Sequence, residues 1–416
     1  MIMSELLRGA CVFGQSGGPT AVINASAYGV IKAALDAPEI TNVYGAAHGI
    51  AGILKDTLYD LGQEDAHELE LLLNTPSSEL GSCRYKIADP DKDDKDFKRI
   101  LEIFQKYDIR YFFYNGGNDS MDTCSKVSRF LEKSGYACRV MGIPKTIDND
   151  LVGTDHCPGY GSAAKYIATS VAEVCKDTYV YDVGTITVVE IMGRHAGWLT
   201  GASALASISC APPDLIYLPE VDFNFETFIA DVSRIFKEKN KCLVAVSEGI
   251  HYSDGTYVSE AKVSATDGFG HVQLGGLAAT LSGLVNLHTG SKVRGIELSL
   301  LQRCGAHLAS QTDIDEAYRA GKYAVECAVA GETGKMVAFE RDMSGGSYVC
   351  NLILQPLSVV ANAEKKVPRE WITPEGNNVT SDFINYALPL IQGENRRILE
   401  NGLPRFAHLK KVLVKK

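Results

Sequence analysis

Three times in the first 150 residues a strand-like run opens into a polar, mostly glycine-rich turn, and this pattern limits the fold more than any other feature. Ala10–Phe13 leads into Gly14-Gln15-Ser16-Gly17-Gly18-Pro19-Thr20 and a helical pattern from Ala21 to about Leu35. Arg110–Tyr114 leads into Asn115-Gly116-Gly117-Asn118-Asp119-Ser120 and a helix from Met121 to Lys133. Arg139-Val140-Met141 leads into Gly142-Ile143-Pro144-Lys145-Thr146-Ile147-Asp148-Asn149-Asp150. Successive βα units imply a parallel sheet covered by helices, with ligands at the carboxyl ends of its strands. A glycine-rich turn at a helix N-terminus presents backbone N–H groups and the positive end of the helix dipole, which suits phosphate. Neither a GxxxxGK[ST] loop nor a clean GxGxxG is present, so each turn alone is a weak signal.

The third turn carries the chemistry. Positions two apart in an extended segment point the same way, so Asp148 and Asp150 are expected to face one site. Two carboxylates at one point repel. A bound Mg²⁺, with one group as general base and the other orienting metal or hydroxyl, offsets that. Lys145 adds the opposite charge three residues upstream. An Asp/Asn-rich turn capping a strand has the same composition, so the motif alone leaves both readings open. Arg84, in the turn Leu80-Gly81-Ser82-Cys83-Arg84, is placed to reach phosphate oxygens, although most lone arginines are surface residues.

Further along, Thr154–Gly161 reads as a loop or crossover and Ser162 to about Lys176 as a helix. The strand Thr185–Ile191 ends in Met192-Gly193-Arg194-His195-Ala196-Gly197-Trp198, and Lys241–Val246 ends in Ser247-Glu248-Gly249. Residues 252–292 are rich in Gly, Ser and Thr around an apolar helix near Leu274–Val285, and His271 within them reads as structural. Arg294–Arg303 and Lys335–Phe339 read as strands with a helix from Asp313 to Ala330 between them, and the basic tail Lys410–Lys416 as a solvated end.

A chain of 416 residues favours two domains. Its net charge of -10 argues against a nucleic-acid surface while leaving room for a locally basic pocket. No apolar run reaches the ~18 residues of a membrane span and no signal peptide is expected. Eleven cysteines without a CxxC pair read as free buried thiols in a reducing, cytoplasmic compartment, and the nine histidines show no zinc spacing.

Taken in order, GQSGGPTAVIN, LGSCR, NGGNDS, PKTIDND, MGRHAGW, SEG and LLQR resemble the phosphofructokinase family, and more narrowly its pyrophosphate-dependent members. The resemblance runs from about Ala10 to about Gly346, and Lys365–Ile372 (KKVPREWI) shares it. It implies two three-layer, Rossmann-like α/β domains with mainly parallel sheets. A donor domain would comprise 1–158 plus about 304–357, and a sugar-phosphate domain about 159–303 plus 358–416. The implied reaction moves a phosphoryl group from pyrophosphate to the 1-hydroxyl of fructose 6-phosphate, reversibly and with Mg²⁺. Asp148 would be the base, with Asp150 and Thr146 orienting the hydroxyl and the phosphoryl group. Met192, Gly193 and Arg194 would line the sugar and the developing phosphate charge, and Glu248 would hold sugar hydroxyls. Arg294 and Arg303 would grip the 6-phosphate, one of them from a neighbouring subunit, so a homodimer or homotetramer is implied. Gly17, Gly18, Arg84, Gly117, Asp119, Ser120 and Lys145 would form the donor site, with Asp119 and the uncharged amide of Asn118 toward the metal.

Donor choice rests on Asp119 and Lys145, where ATP-using relatives have glycine, commonly so at the lysine. A carboxylate ~4 Å from the α-phosphate of ATP costs about 4 kcal/mol at an effective dielectric near 20, roughly a thousandfold in affinity. The resemblance therefore implies pyrophosphate, with ATP as the alternative donor and a weakly catalytic regulatory subunit as the alternative outside catalysis. Three departures stand out: Asn118 replaces a usual aspartate, Thr185 a cross-subunit arginine of bacterial ATP enzymes, and Leu300 a common sugar-contacting His or Tyr.

Overall fold

The computed structural model describes residues 7–259, 276–361 and 363–415. His271 and the middle of the 252–292 stretch lie outside the described residues. In chain order the strands of the two main sheets are β1 (Gly9–Gln15), β2 (Ile40–Ala46), β3 (Leu58–Asp60), β4 (Ile109–Gly116), β5 (Arg139–Pro144), β6 (Thr185–Ile191), β7 (Leu215–Tyr217), β8 (Lys241–Ser247), β9 (Lys292–Glu297), β10 (Lys335–Asp342) and β11 (Val349–Pro356). One sheet runs β11-β10-β5-β4-β1-β2-β3, parallel through its middle and antiparallel at both edges. The other, β7-β8-β6-β9, is parallel throughout. The chain is thus an α/β protein with mainly parallel sheets.

Side-chain alternation explains why aromatic β4 lies at the centre. Phe112 and Tyr114 pack on one face of the larger sheet, against Phe97, Ile100, Ile103 and Phe104 of the helix Lys95–Lys106. Tyr111 and Phe113 pack on the other, with Val30, Ile31 and Ala34 of the helix Ile23–Asp36. A strand buried on both faces reads as continuous apolar sequence, as Tyr111–Tyr114 does. β1 has β2 on one side and β4 on the other, so the strand order reverses there and a crevice opens beyond the strand ends. Both glycine-rich turns, after β1 and after β4, empty into it.

Beyond β5 the helix Tyr160–Thr178 begins the second half, and the helix Gln311–Val329 returns the chain to the first sheet against Ile23–Asp36. Val367, Ile372, Phe383 and Tyr386 then pack into the core beneath the second sheet.

Four expectations need correction. Arg294–Arg303 is not one strand: β9 stops at Glu297, Ser299 takes a left-handed φ of 45°, and Leu301–Cys304 is a helical turn. The basic tail is not a solvated end, because Asp60 donates its backbone N–H to Val412 at 2.8 Å and Val414 donates to Leu58 at 2.9 Å. The same contacts place 407–414 on the first sheet, where Ala407 is core, rather than with the second as the division at 358–416 expects. Fourth, Asp148 and Asp150 do not share a face by strand alternation, since β5 ends at Pro144 and Asn149 is left-handed with φ 56°. The eleven cysteines are free thiols, seven of them buried. Among the described residues no helix is long and apolar enough to cross a membrane.

Candidate active site

The ends of β1, β4 and β5 from the first sheet face those of β6 and β8 from the second across a cleft of about 550 Å³. Its walls include Gly17, Gly18, Arg84, Gly117, Asn118, Asp119 and Ser120 on one side and Met192, Arg194 and Glu248 on the other. Lys145, Thr146, Asp148 and Asp150 line the floor, with Arg303 reaching in. Fifteen of the seventeen residues expected at the site therefore meet in one cleft. Gly193 supports it from behind, and Arg294 lies elsewhere.

The glycine-rich wall is built on close backbone approach. Gly17 is left-handed, with φ 75°, and a Cβ on Gly18 would come within 3.5 Å of Arg303 Nη1 and 3.8 Å of Arg84 Nη2. The main chain at Gly18 is thus bare toward two guanidinium groups. Lys145 closes the cradle from below, its Nζ donating to the Gly18 carbonyl at 2.6 Å. Burial pushes the Lys145 ammonium down to about 8, against the pull of Asp148 and with repulsion from Arg84. Arg84 is itself pushed below its ordinary value by burial and by Arg303 and Arg194, a sign of how densely positive this wall is. The Asn118 amide donates to the Ala363 carbonyl at 2.6 Å, so its nitrogen is turned away from any cation.

Asp148 sits in a tight turn, its N–H donating to Thr146 Oγ1 at 3.0 Å. Burial and the Glu248 charge raise its carboxyl to about 6, opposed by Lys145, Arg194 and Arg303. Asp150 is raised to about 7 by burial, by Asp148 and by Glu364. The left-handed Asn149 between them lets both carboxylates face the cleft while its own side chain turns into the core, fully buried. On the opposite wall Gly193, with φ 132°, donates its N–H to Glu248 Oε1 at 3.3 Å, and Met192 N–H is held by Gln302 Oε1 at 3.2 Å.

Arg294 is on β9, paired with Asp177 at 2.7 Å in a separate surface cavity of about 330 Å³ with Tyr166 and Thr187. Pro19, Ile147, His195 and Glu364 line the cleft without having been singled out from sequence. His195 lies within the MGRHAGW motif, whose local signal marks it. Glu364 arrives from more than two hundred residues away, by pairing with Leu151, and carries no local signal.

Fold and site define an α/β protein whose two mainly parallel sheets meet at one cleft lined by a carboxylate pair and a basic glycine cradle. The chain belongs to the phosphofructokinase family, whose model matches residues 11–328. A relative from Halomonas elongata named pyrophosphate–fructose 6-phosphate 1-phosphotransferase is 45% identical over 96% of each chain. Another of that name, from Methylococcus capsulatus, is 43% identical over 97% of this chain and 96% of its own. Among solved structures, a pyrophosphate-dependent phosphofructokinase from Marinobacter aquaeolei superposes with a TM-score of 0.88 at 41% identity, covering 98% of both chains.

Proposed function

We propose that this chain transfers a phosphoryl group from pyrophosphate to the 1-hydroxyl of fructose 6-phosphate, giving fructose 1,6-bisphosphate and phosphate, and that it runs in both directions. The observation that carries the reading is the position of Asp148, in one cleft with the Lys145-closed cradle and with Glu248 and Arg194. Phosphoryl transfer needs in-line placement and positive charge around the moving group, with little covalent chemistry from the protein. Asp148, raised to about 6, is ionised at neutral pH yet a better proton acceptor than an ordinary aspartate, which suits the base that takes the hydroxyl proton. Thr146 and Asp150 orient that hydroxyl. Arg194 faces the charge on the transferring group, and Arg84 and the Gly17–Gly18 and Gly117–Ser120 turns receive the donor. Met192, Gly193 and Glu248 hold the sugar. Arg303 reaches toward its 6-phosphate, joined by Arg294 of a second copy in a homodimer or homotetramer working in the cytoplasm.

Pyrophosphate is favoured because Asp119 lines the wall along which a nucleotide would extend and Lys145 fills the space beneath it. The donor atoms present also fit Mg²⁺, a hard cation usually held by one or two carboxylates together with substrate phosphates. Asp119 would hold it, with at most the amide oxygen of Asn118 in support. When bound, the ion neutralises charge on the phosphate oxygens. Assaying the purified protein with fructose 6-phosphate, Mg²⁺ and either pyrophosphate or ATP tests the reading. Fructose 1,6-bisphosphate forming with pyrophosphate and at most slowly with ATP is expected, and the reverse preference or no product with either donor overturns it.

A further inference from the structure

We propose that Tyr386, on the helix Ser381–Ala387, is a positioning residue for the transfer step, holding the Asp148–Asp150 turn in place through Asn149. The inference rests on Asp148 being the base. Asn149 is the hinge of that turn: its φ of 56° is a conformation that asparagine tolerates better than most residues, and its side chain is fully buried. Both ends of the amide are engaged. Nδ2 donates to the Tyr386 hydroxyl at 2.8 Å, and Oδ1 accepts from the Cys157 N–H at 3.0 Å. The Tyr386 hydroxyl in turn donates to the Asp155 carbonyl at 2.6 Å, so one oxygen ties the start of the loop at 149 to its far side at 155.

The ring is fixed as firmly as the hydroxyl. It packs 5.1 Å from Trp198, centroid to centroid, and the Arg341 guanidinium lies 4.5 Å over its face while gripping the Asp155 carboxylate. Trp198 follows the turn that carries Met192 and Arg194, and its ring helps to fix that of Tyr386. Tyr386 does not line the cleft, which makes its action on the reaction indirect. It also lies beyond the 11–328 span shared with the family model, so this brace is supplied by the C-terminal segment.

Removing only the hydroxyl leaves the buried Asn149 amide without its acceptor and frees the turn to relax. A shift of about 1 Å at a reacting group costs on the order of 100-fold in rate. Tyr386→Phe keeps the ring and is expected to lower kcat roughly 10- to 100-fold while leaving the KM for both substrates within about threefold. Asn149→Gly, whose backbone accepts the same φ, is expected to do likewise, and the double variant to lose no more than Asn149→Gly alone. Placed in an Asp148→Asn background, Tyr386→Phe is expected to cost nothing further, because its effect passes through the missing base. Unchanged kcat in Tyr386→Phe, or an equal loss with and without Asp148, overturns the proposal. Wild-type turnover in Asp148→Asn alone marks instead a failure of the base assignment on which it rests.

Discussion

The Lys145 ammonium donates to the carbonyl of Gly18 at 2.6 Å, tying the loop that holds Asp148 to the glycine turn after β1. In the proposed reaction, donor choice and catalysis are coupled at this lysine. Asp119→Gly is expected to admit measurable ATP use, since it removes the repulsion of roughly 4 kcal/mol at the α-phosphate. Adding Lys145→Gly is expected to raise ATP use further and weaken pyrophosphate use, non-additively because both sites bear on the same phosphates. The check is kcat/KM for both donors in wild type, the two single variants and the double. An unchanged donor ratio in Asp119→Gly contradicts this account of donor choice.

Arg294 stands apart from the cleft of its own chain, on a half-exposed ion pair with Asp177. Such pairs contribute at most about 1 kcal/mol to stability. Arg294→Ala is therefore expected to leave the melting temperature nearly unchanged, raise the KM for fructose 6-phosphate, and leave that for pyrophosphate alone. A fully active monomer in sedimentation under assay conditions contradicts the cross-subunit role.

Behind the site, buried His156 bridges Asp155 at 2.8 Å and Glu316 at 2.7 Å. Burial lowers the affinity of His156 for its proton, but the two carboxylates outweigh it and hold the imidazolium above its ordinary value. Its contribution to stability is complete below the unfolded-state value and fades as pH rises through the raised folded one. His156→Ala leaves buried Glu316 and partly buried Asp155 without their bridge and is expected to cost roughly 3–5 kcal/mol in denaturant unfolding. A loss under about 1 kcal/mol shows that Arg341 and Tyr348 suffice without it.

Local pattern made much of this legible. The βα units after β1 and β4 stand within two or three residues of their expected bounds, because apolar strands and glycine turns are short-range signals. What failed was long-range or conformational. Alternation predicts that Asp148 and Asp150 share a face, and they do share the cleft, but through a left-handed Asn149 whose side chain finds Tyr386 more than two hundred residues on. Ser299 turns the expected Arg294–Arg303 strand into a strand and a helical turn, which parts Arg294 from Arg303. The tail's lysines suggest solvent, yet its backbone pairs with β3, and strand pairing of that kind leaves no mark in composition.

The most direct measurement is the pH dependence of pyrophosphate-driven phosphorylation of fructose 6-phosphate in wild type and in Asp148→Asn. Because the reactive form is the carboxylate, kcat/KM is expected to fall below an apparent value near 6, to which the neighbouring Asp150 contributes. Asp148→Asn is expected to lower kcat by about 10²–10⁴ and to lose the Asp148 part of that acid limb. Turnover close to wild type in Asp148→Asn, with the acid limb intact, contradicts the assignment of Asp148 as the base.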